Sequence, residues 1–253
     1  MFVVTGGGSG IGRALAQALA QRGKEVLIIG RRREALLETA ASYPLISICN
    51  ADVATVKGRE AIASHVQSIA QLEGLVHNAG VIEPIMPVAS IDEPSWENAL
   101  AVNLNAPLFL SQLLLDKLAD GRVLHIGSAV AYFPVAGWAA YCVSKAALSM
   151  LTRCLQLECK NTSFTSVMPG IIDTDMQAFI RQSQFMADEK NNFYKELKAA
   201  NRLLQPETVA LFLTWLLLDI NREDYVAKEW DIYDDSHHSR WLLNPHTVPH
   251  WEL

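Results

Sequence analysis

Short runs of apolar and β-branched residues recur along the chain at 2–5, 26–29, 45–49, 75–77, 123–126, 164–167 and 230–233, separated by longer segments of mixed polarity. Runs this short and this apolar predict strands buried on both faces, and the segments between them are long enough for crossover helices. The alternation predicts an α/β fold: a parallel sheet of about seven strands with helices on both faces. One crossover is explicit, because Val209, Phe212, Leu213, Leu216 and Leu217 repeat at i, i+3, i+4, i+7 and i+8, the stripe of a core-facing helix. Gln205, Pro206 and Glu207 precede it, with proline where a first helical turn tolerates it. Ser90 and Glu93 stand at capping-box spacing ahead of Pro94 and predict another helix start.

Two stretches break the pattern. Residues 171–204 mix Gln, Asp, Glu, Lys and Asn with scattered Met and Phe, which predicts mobile helical pieces outside the sheet. Residues 235–253 carry histidines, prolines and tryptophans at loop-like spacing and predict an irregular extension, over the substrate pocket or at a subunit contact. No linker, repeat or low-complexity tract separates a second domain, so residues 1–234 are expected to form one catalytic domain that continues into this tail.

Composition narrows the function. Half of the 253 residues are apolar and the net charge is −6, so there is material for a large core and no basic surface for nucleic acid or anionic membrane. The longest basic tract is Arg31, Arg32 and Arg33. Cys49, Cys142, Cys154 and Cys159 show no CxxC spacing and are expected as reduced thiols in a cytoplasmic protein. MFVVTGG enters a strand at once, leaving no room for a signal peptide, and the apolar segment 210–220 is too short to span a bilayer.

The first predicted strand runs into TGGGSGIGRALAQALA, with glycines at GxxxGxG spacing on Gly6, Gly10 and Gly12, and Ser9 and Ile11 between them. Strand, glycine turn and helix together present backbone N–H groups and a helix N-terminus to an anion, the arrangement that receives a dinucleotide pyrophosphate. A tight connection without a ligand is the plainer alternative. The second strand ends at Gly30, Arg31 and Arg32, where NAD-preferring folds place a carboxylate for the ribose 2′-hydroxyl. Guanidinium groups suit a 2′-phosphate instead, so NADP(H) is the expected cofactor. The competing reading is that RRRE opens a solvated helix.

Tyr141 and Lys145 stand four positions apart in the apolar stretch GWAAYCVSKAAL. On a helix they share one face, and a nearby ammonium is expected to lower the phenol pKa from its ordinary value of about 10 by roughly one to three units. For an isolated YxxxK, the ordinary reading is a rim tyrosine and a solvated lysine.

TGxxxGIG at 5–12, HNAG at 77–80, Asn103, Ser128 and Tyr141xxxLys145 together resemble the short-chain dehydrogenase/reductase family, in order over nearly the whole chain to about Asp234. The resemblance implies a single, doubly wound, Rossmann-like domain and a catalytic tetrad of Asn103, Ser128, Tyr141 and Lys145. In it Tyr141 supplies the proton for a carbonyl oxygen, Ser128 donates to the developing oxyanion, and Lys145 also holds the nicotinamide ribose. Asn103 holds a water that refills the proton. By the same resemblance Asp52 and Val53 contact adenine, Asn78, Ala79 and Gly80 support the cofactor, and Pro169, Gly170 and Thr174 line the nicotinamide carboxamide. His77 stands where the family often has asparagine. An exposed turn remains an alternative for Asp52, and a bare Pro-Gly turn for residues 169–170.

GWAAYC at 137–142, PGIIDTDMQ at 169–177, YKELKAANRLL at 194–204 and WDIYD at 230–234 resemble more narrowly the sepiapterin reductase branch, which includes bacterial benzil reductases. The substrate class implied is a planar or aromatic dicarbonyl, with Asp231 as a pterin anchor and Trp138, Tyr132, Phe133, Met176 and Phe179 as an apolar wall. Water-facing Asp231 and simple core packing for the apolar residues are the alternatives. A ketoacyl thioester reductase and a non-catalytic NADPH sensor are the competing functions. A homodimer or homotetramer is implied by the family. No metal is expected: His246 and His250 share helical spacing near His237 and His238, but Pro245 and Pro249 oppose a helix there.

Overall fold

The computed structural model describes residues 1–186 and 188–249. Its centre is a seven-stranded parallel sheet: β1 (Phe2–Thr5), β2 (Val26–Gly30), β3 (Ile46–Asn50), β4 (Gly74–His77), β5 (Arg122–Ile126), β6 (Ser163–Met168) and β7 (Trp230–Asp231). They lie in the order β3-β2-β1-β4-β5-β6-β7. The helices are α1 (Gly10–Gln21), α2 (Arg33–Ala40), α3 (Val56–His65), α4 (Glu93–Leu100), α5 (Ala106–Leu114), α6 (Ala139–Glu158), α7 (Asp175–Gln182), α8 (Asp188–Ala199), α9 (Pro206–Leu218) and α10 (Arg222–Ala227).

Strand residues alternate between two cores, as a doubly covered sheet requires. Phe2, Val4, Val26, Ile28, Val76 and Leu124 face α1 and α9, whereas Val3, Leu27, Ile29, Leu75 and Val123 face α3, α5 and the C-terminal half of α6. Every residue of the expected α9 stripe is buried, and so are Thr208, Ala210, Thr214 and Trp215, because α1 and the tail cover the helix on further sides. The helical run Glu93–Leu118 is long and apolar enough to cross a membrane by length and composition. In the fold its Ala106, Leu110, Leu114 and Leu118 are buried against the second face of the sheet.

Three local expectations change. The start of α4 is capped by Asp92, whose carboxylate accepts from the Ser95 backbone N–H at 2.9 Å, and Ser90 instead closes a 3₁₀ turn. The last strand stops two residues early because the Asp231 carboxylate accepts from Tyr233 N at 3.0 Å and turns the chain. Finally, the tail has a built first part. Asp235–Arg240 form a 3₁₀ helix, the His237 ring stacks on Phe212 at 5.2 Å, and its Nδ1 accepts from Trp241 Nε1 at 2.8 Å. This part packs on α9 and contributes nothing to the cleft described below. His246 pairs with Thr208 Oγ1 at 2.9 Å. Among the described residues no three His, Cys, Asp or Glu gather as metal ligands, and His250 lies outside those residues.

The sheet order reverses direction at β1, whose neighbours are β2 and β4. Chains leaving the carboxyl ends of β1 and β4 therefore diverge, opening a crevice where open α/β sheets bind ligands. Thr5 ties the two ends together: its Oγ1 donates to Val76 O and accepts from Asn78 N and Ala79 N, both at 3.0 Å.

Candidate active site

A cleft of about 700 Å³ runs over these strand ends. Its cofactor half is built from the glycine turn. Gly6 has φ +68°, and a side chain there would meet Asn78 Nδ2 at 2.8 Å, an amide that itself donates to Thr5 O and Gly6 O. Gly12 lies behind the cleft, where a Cβ would stand 2.3 Å from Gly6 O, so its part is close packing of α1 on the turn. Ser9 occupies the N-cap position of α1 but gives no side-chain cap; its Oγ accepts from Arg32 Nη2 at 3.1 Å. The first-turn N–H groups are thus left for an outside acceptor, the condition for an anion at a helix N-terminus.

Ser9, Gly10, Ile11, Arg31, Arg32, Asp52, Val53, Asn78, Ala79, Gly80, Pro169, Gly170 and Thr174, the residues expected at the cofactor, all line this cleft. A side recess beyond Ser9 is lined by Arg31, Arg32 and also Arg13, a residue the motif reading passed over although it directly follows GIG. Arg13 donates to Gly8 O at 2.7 Å and to Glu38 at 3.1 Å, so its guanidinium is held against the glycine turn. The cleft fits a dinucleotide: glycines where a Cβ would collide, an uncapped helix end, and arginines beyond the second strand.

The reacting half is carried by α6 and β5. Lys145 Nζ donates to Ile126 O at 2.7 Å and lies 5.5 Å from the centroid of the Tyr141 ring. Ser128, just past β5, caps a 3₁₀ turn, its Oγ accepting from Val130 N at 3.4 Å, and it lines the cleft with Tyr141. The sequence expectation for the phenol is reversed. Burial pushes Tyr141 up to about 12 against the smaller opposite effect of Ser128, and burial brings Lys145 down from 10.5 to about 8. Desolvation disfavours both charged forms and is the largest cause of each shift.

Asn103, expected to hold a water, spends its side-chain amide on protein partners. It sits in a π-helical turn, Ala101–Asn105, between α4 and α5, a local irregularity common at functional sites. Its Oδ1 accepts from Val81 N at 2.9 Å, and its Nδ2 donates to Val81 O at 2.8 Å and Ser144 Oγ at 3.0 Å. Both amide hydrogens are committed, so the side chain staples the β4 loop to α6 one layer behind the cleft. His77, the family departure, points away into the second core, where it pairs with Ser111 at 2.9 Å and lies tilted against His125, ring centroids 5.1 Å apart.

Trp138 and Met176 line the substrate half, with Phe179 beside them. Tyr194 of α8 completes the wall: its ring stacks on Trp138 at 6.0 Å and 8°, and Trp138 meets Tyr141 edge-on at 6.0 Å. Tyr194 opens the YKELK stretch that carried the narrower resemblance, yet nothing in its local pattern marks it as a site residue. Three expected wall or anchor residues lie elsewhere. Tyr132 turns outward to the Glu229 carboxylate and Ser149, Phe133 is exposed, and Asp231 spends its Oδ1 on the β7 turn; none lines the cleft.

The profile of the short chain dehydrogenase family matches residues 1–184. A benzil reductase, (S)-benzoin forming, from Bacillus subtilis (strain 168) is 31% identical over 227 residues, covering 86% of this chain and 93% of that protein. Sepiapterin reductase of Meriones unguiculatus is 33% identical over 236 residues, covering 85% and 90%. The crystal structure of a short-chain dehydrogenase/reductase from Saccharomyces cerevisiae superposes with a TM-score of 0.88 at 26% identity, covering 95% of this chain and 98% of that one. A match over more than half the chain, onto a sheet order and a Tyr141, Lys145 and Ser128 cluster already in place, makes this an oxidoreductase of the short-chain dehydrogenase family.

Proposed function

We propose that the protein is an NADPH-dependent carbonyl reductase whose substrate is a ketone of a planar or aromatic dicarbonyl, of the benzil or sepiapterin kind. The observation that carries this reading is the flat aromatic wall of Trp138 and Tyr194, set edge-on to the Tyr141 phenol that faces the cleft. A planar substrate lies against such a wall, and the likeness to benzil and sepiapterin reductases supports the same class. A reduced dinucleotide bound along the glycine turn supplies hydride. Tyr141 keeps its proton at neutral pH and passes it to the carbonyl oxygen, while Ser128 donates to that oxygen as charge grows. Lys145, anchored by Ile126 O, stands behind the phenol to restore the proton, and Asn103 fixes the spacing of the surrounding loops. Consumption of NADPH with benzil or sepiapterin, set against a ketoacyl thioester, tests the reading; turnover of the thioester alone would overturn it.

The NADPH preference rests on Arg31, Arg32 and Arg13 around the recess beyond Ser9. A charge-assisted hydrogen bond contributes about 1.5–3 kcal/mol, so Arg31→Ser with Arg32→Ser is expected to raise KM for NADPH about 10- to 100-fold and leave KM for NADH nearly unchanged. Initial rates with both cofactors check this, and a wild-type preference for NADH would end it.

Exposed apolar side chains form a second pattern. Val143, Met150 and Leu157 recur every seventh residue on α6, and Phe109 and Leu113 stand out on α5. These faces support a homodimer or homotetramer, because monomers rarely leave such stripes open. Light scattering of the wild type should give a multiple of 27.9 kDa, and Met150→Glu should shift it toward the monomer. The unpaired state of Cys49, Cys142, Cys154 and Cys159 supports a reducing, cytoplasmic setting.

A further inference from the structure

Arg59 is the one buried arginine among the described residues, at 7% exposure, and none of their carboxylates stands within ion-pair distance of it. A buried charge costs stability unless hydrogen bonds replace water, so what holds it identifies its role. Its Nη1 donates to two consecutive carbonyls, Val53 O at 2.8 Å and Ala54 O at 2.9 Å. The Phe109 ring covers the guanidinium at 5.3 Å.

The segment so held is the wall of the cleft below β3. Asp52 and Val53 line it, on the side away from the catalytic tyrosine. The rest of the segment is equally constrained: Asp52 Oδ1 accepts from Ala54 N at 3.0 Å, and Asp52 O accepts from Thr55 Oγ1 at 3.1 Å. Thr55 in turn caps α3 through Gly58 N. A Cβ on Gly58 would lie 1.9 Å from Asp52 O, so the loop is seated directly on the helix that carries Arg59. An apolar side chain of similar length would fill the same space without burying a charge. The guanidinium adds a fixed orientation for the peptides at 53 and 54, because its Nη1 hydrogens lie in a rigid plane held under the Phe109 ring.

We propose that Arg59 is a positioning residue for the adenine end of the dinucleotide: it holds the Asp52–Val53 wall in register with the glycine turn and acts on cofactor affinity, not on chemistry. The proposal rests on the dinucleotide reading above. The test is fluorescence titration of Arg59→Met and Arg59→Lys with NADPH and with reduced nicotinamide mononucleotide, which lacks the adenosine half, together with kcat at saturating NADPH. Expected for Arg59→Met are a roughly tenfold rise in Kd for NADPH, an unchanged Kd for the mononucleotide and an unchanged kcat. Arg59→Lys should fall between, since it keeps the charge but not the planar group that packs on Phe109. Should the methionine variant fail to fold, the lysine variant decides by the same comparison. Wild-type affinity for NADPH in the folded variants, or equal weakening of both ligands, overturns the proposal. Absence of NADPH binding by the wild type would instead remove the cofactor reading on which it stands.

Discussion

Replacing Tyr141 by phenylalanine is expected to cut turnover by about 10²–10⁴-fold, the range over which a positioned general acid acts. The substitution removes one oxygen and keeps the ring that meets Trp138 edge-on, so the aromatic wall survives. The removed atom is a single hydroxyl oxygen, and the net cost to stability should be about 1 kcal/mol. Cofactor affinity should move by less than about threefold, because the glycine turn and the arginines are untouched. The measurement is single-turnover oxidation of NADPH at saturating diketone, with titration of NADPH alongside. A turnover equal to wild type would sink the assignment, whereas equal loss of binding and turnover would show that the ring has moved. Because burial holds the phenol near 12, the residue is a proton donor throughout the neutral range, which suits reduction.

What the sequence disclosed follows from the range of the interactions involved. The glycine turn, the arginines after β2 and the α9 stripe are local patterns, each set by neighbours within a few residues, and the structure places them as expected. The failures turn on competing partners, some only two residues away and others far along the chain. Ser90 has the right spacing to cap α4, but Asp92, two residues later, competes for the same backbone donors and wins them. Asp231 falls at the aligned position of a substrate anchor, yet its carboxylate is captured by Tyr233 N. Tyr194 joins the cleft only because α8 folds back on Trp138, a contact between residues 56 apart that no periodicity announces. The tail read as irregular because its histidines and tryptophans have no helical spacing; their order comes from stacking on Phe212 and Trp215. The reversed pKa of Tyr141 belongs to the same class. Spacing places a cation near the phenol, but only the packed structure reveals how much water both have lost.

That loss of water sets a second large effect, on the lysine. For the reduction, kcat/KM is expected to be flat from about pH 6 to 7.5 and then to fall roughly tenfold per pH unit above 8, since this quantity reports the free enzyme's ionisations. Burial has brought Lys145 from 10.5 to about 8, so its ammonium is present below that pH and lost above it, leaving Tyr141 without its proton source. Lys145→Met should lower the plateau by about 10²-fold or more. Lys145→Arg, charged at every accessible pH, should lower the plateau but abolish the bend. Stability moves with the opposite sign to activity. Between pH 8 and 10.5 the unfolded chain binds a proton at this lysine that the folded chain does not, so unfolding free energy rises with pH from this group. The amount is on the order of 3 kcal/mol. Above pH 10 the raised Tyr141 acts in reverse, because the unfolded phenol ionises first. Chemical denaturation of wild type and Lys145→Met from pH 7 to 10 should therefore show the rise in the first and its absence in the second. Parallel curves would place the ammonium in water, where it has no cause to titrate near 8 and no means of bending the rate profile.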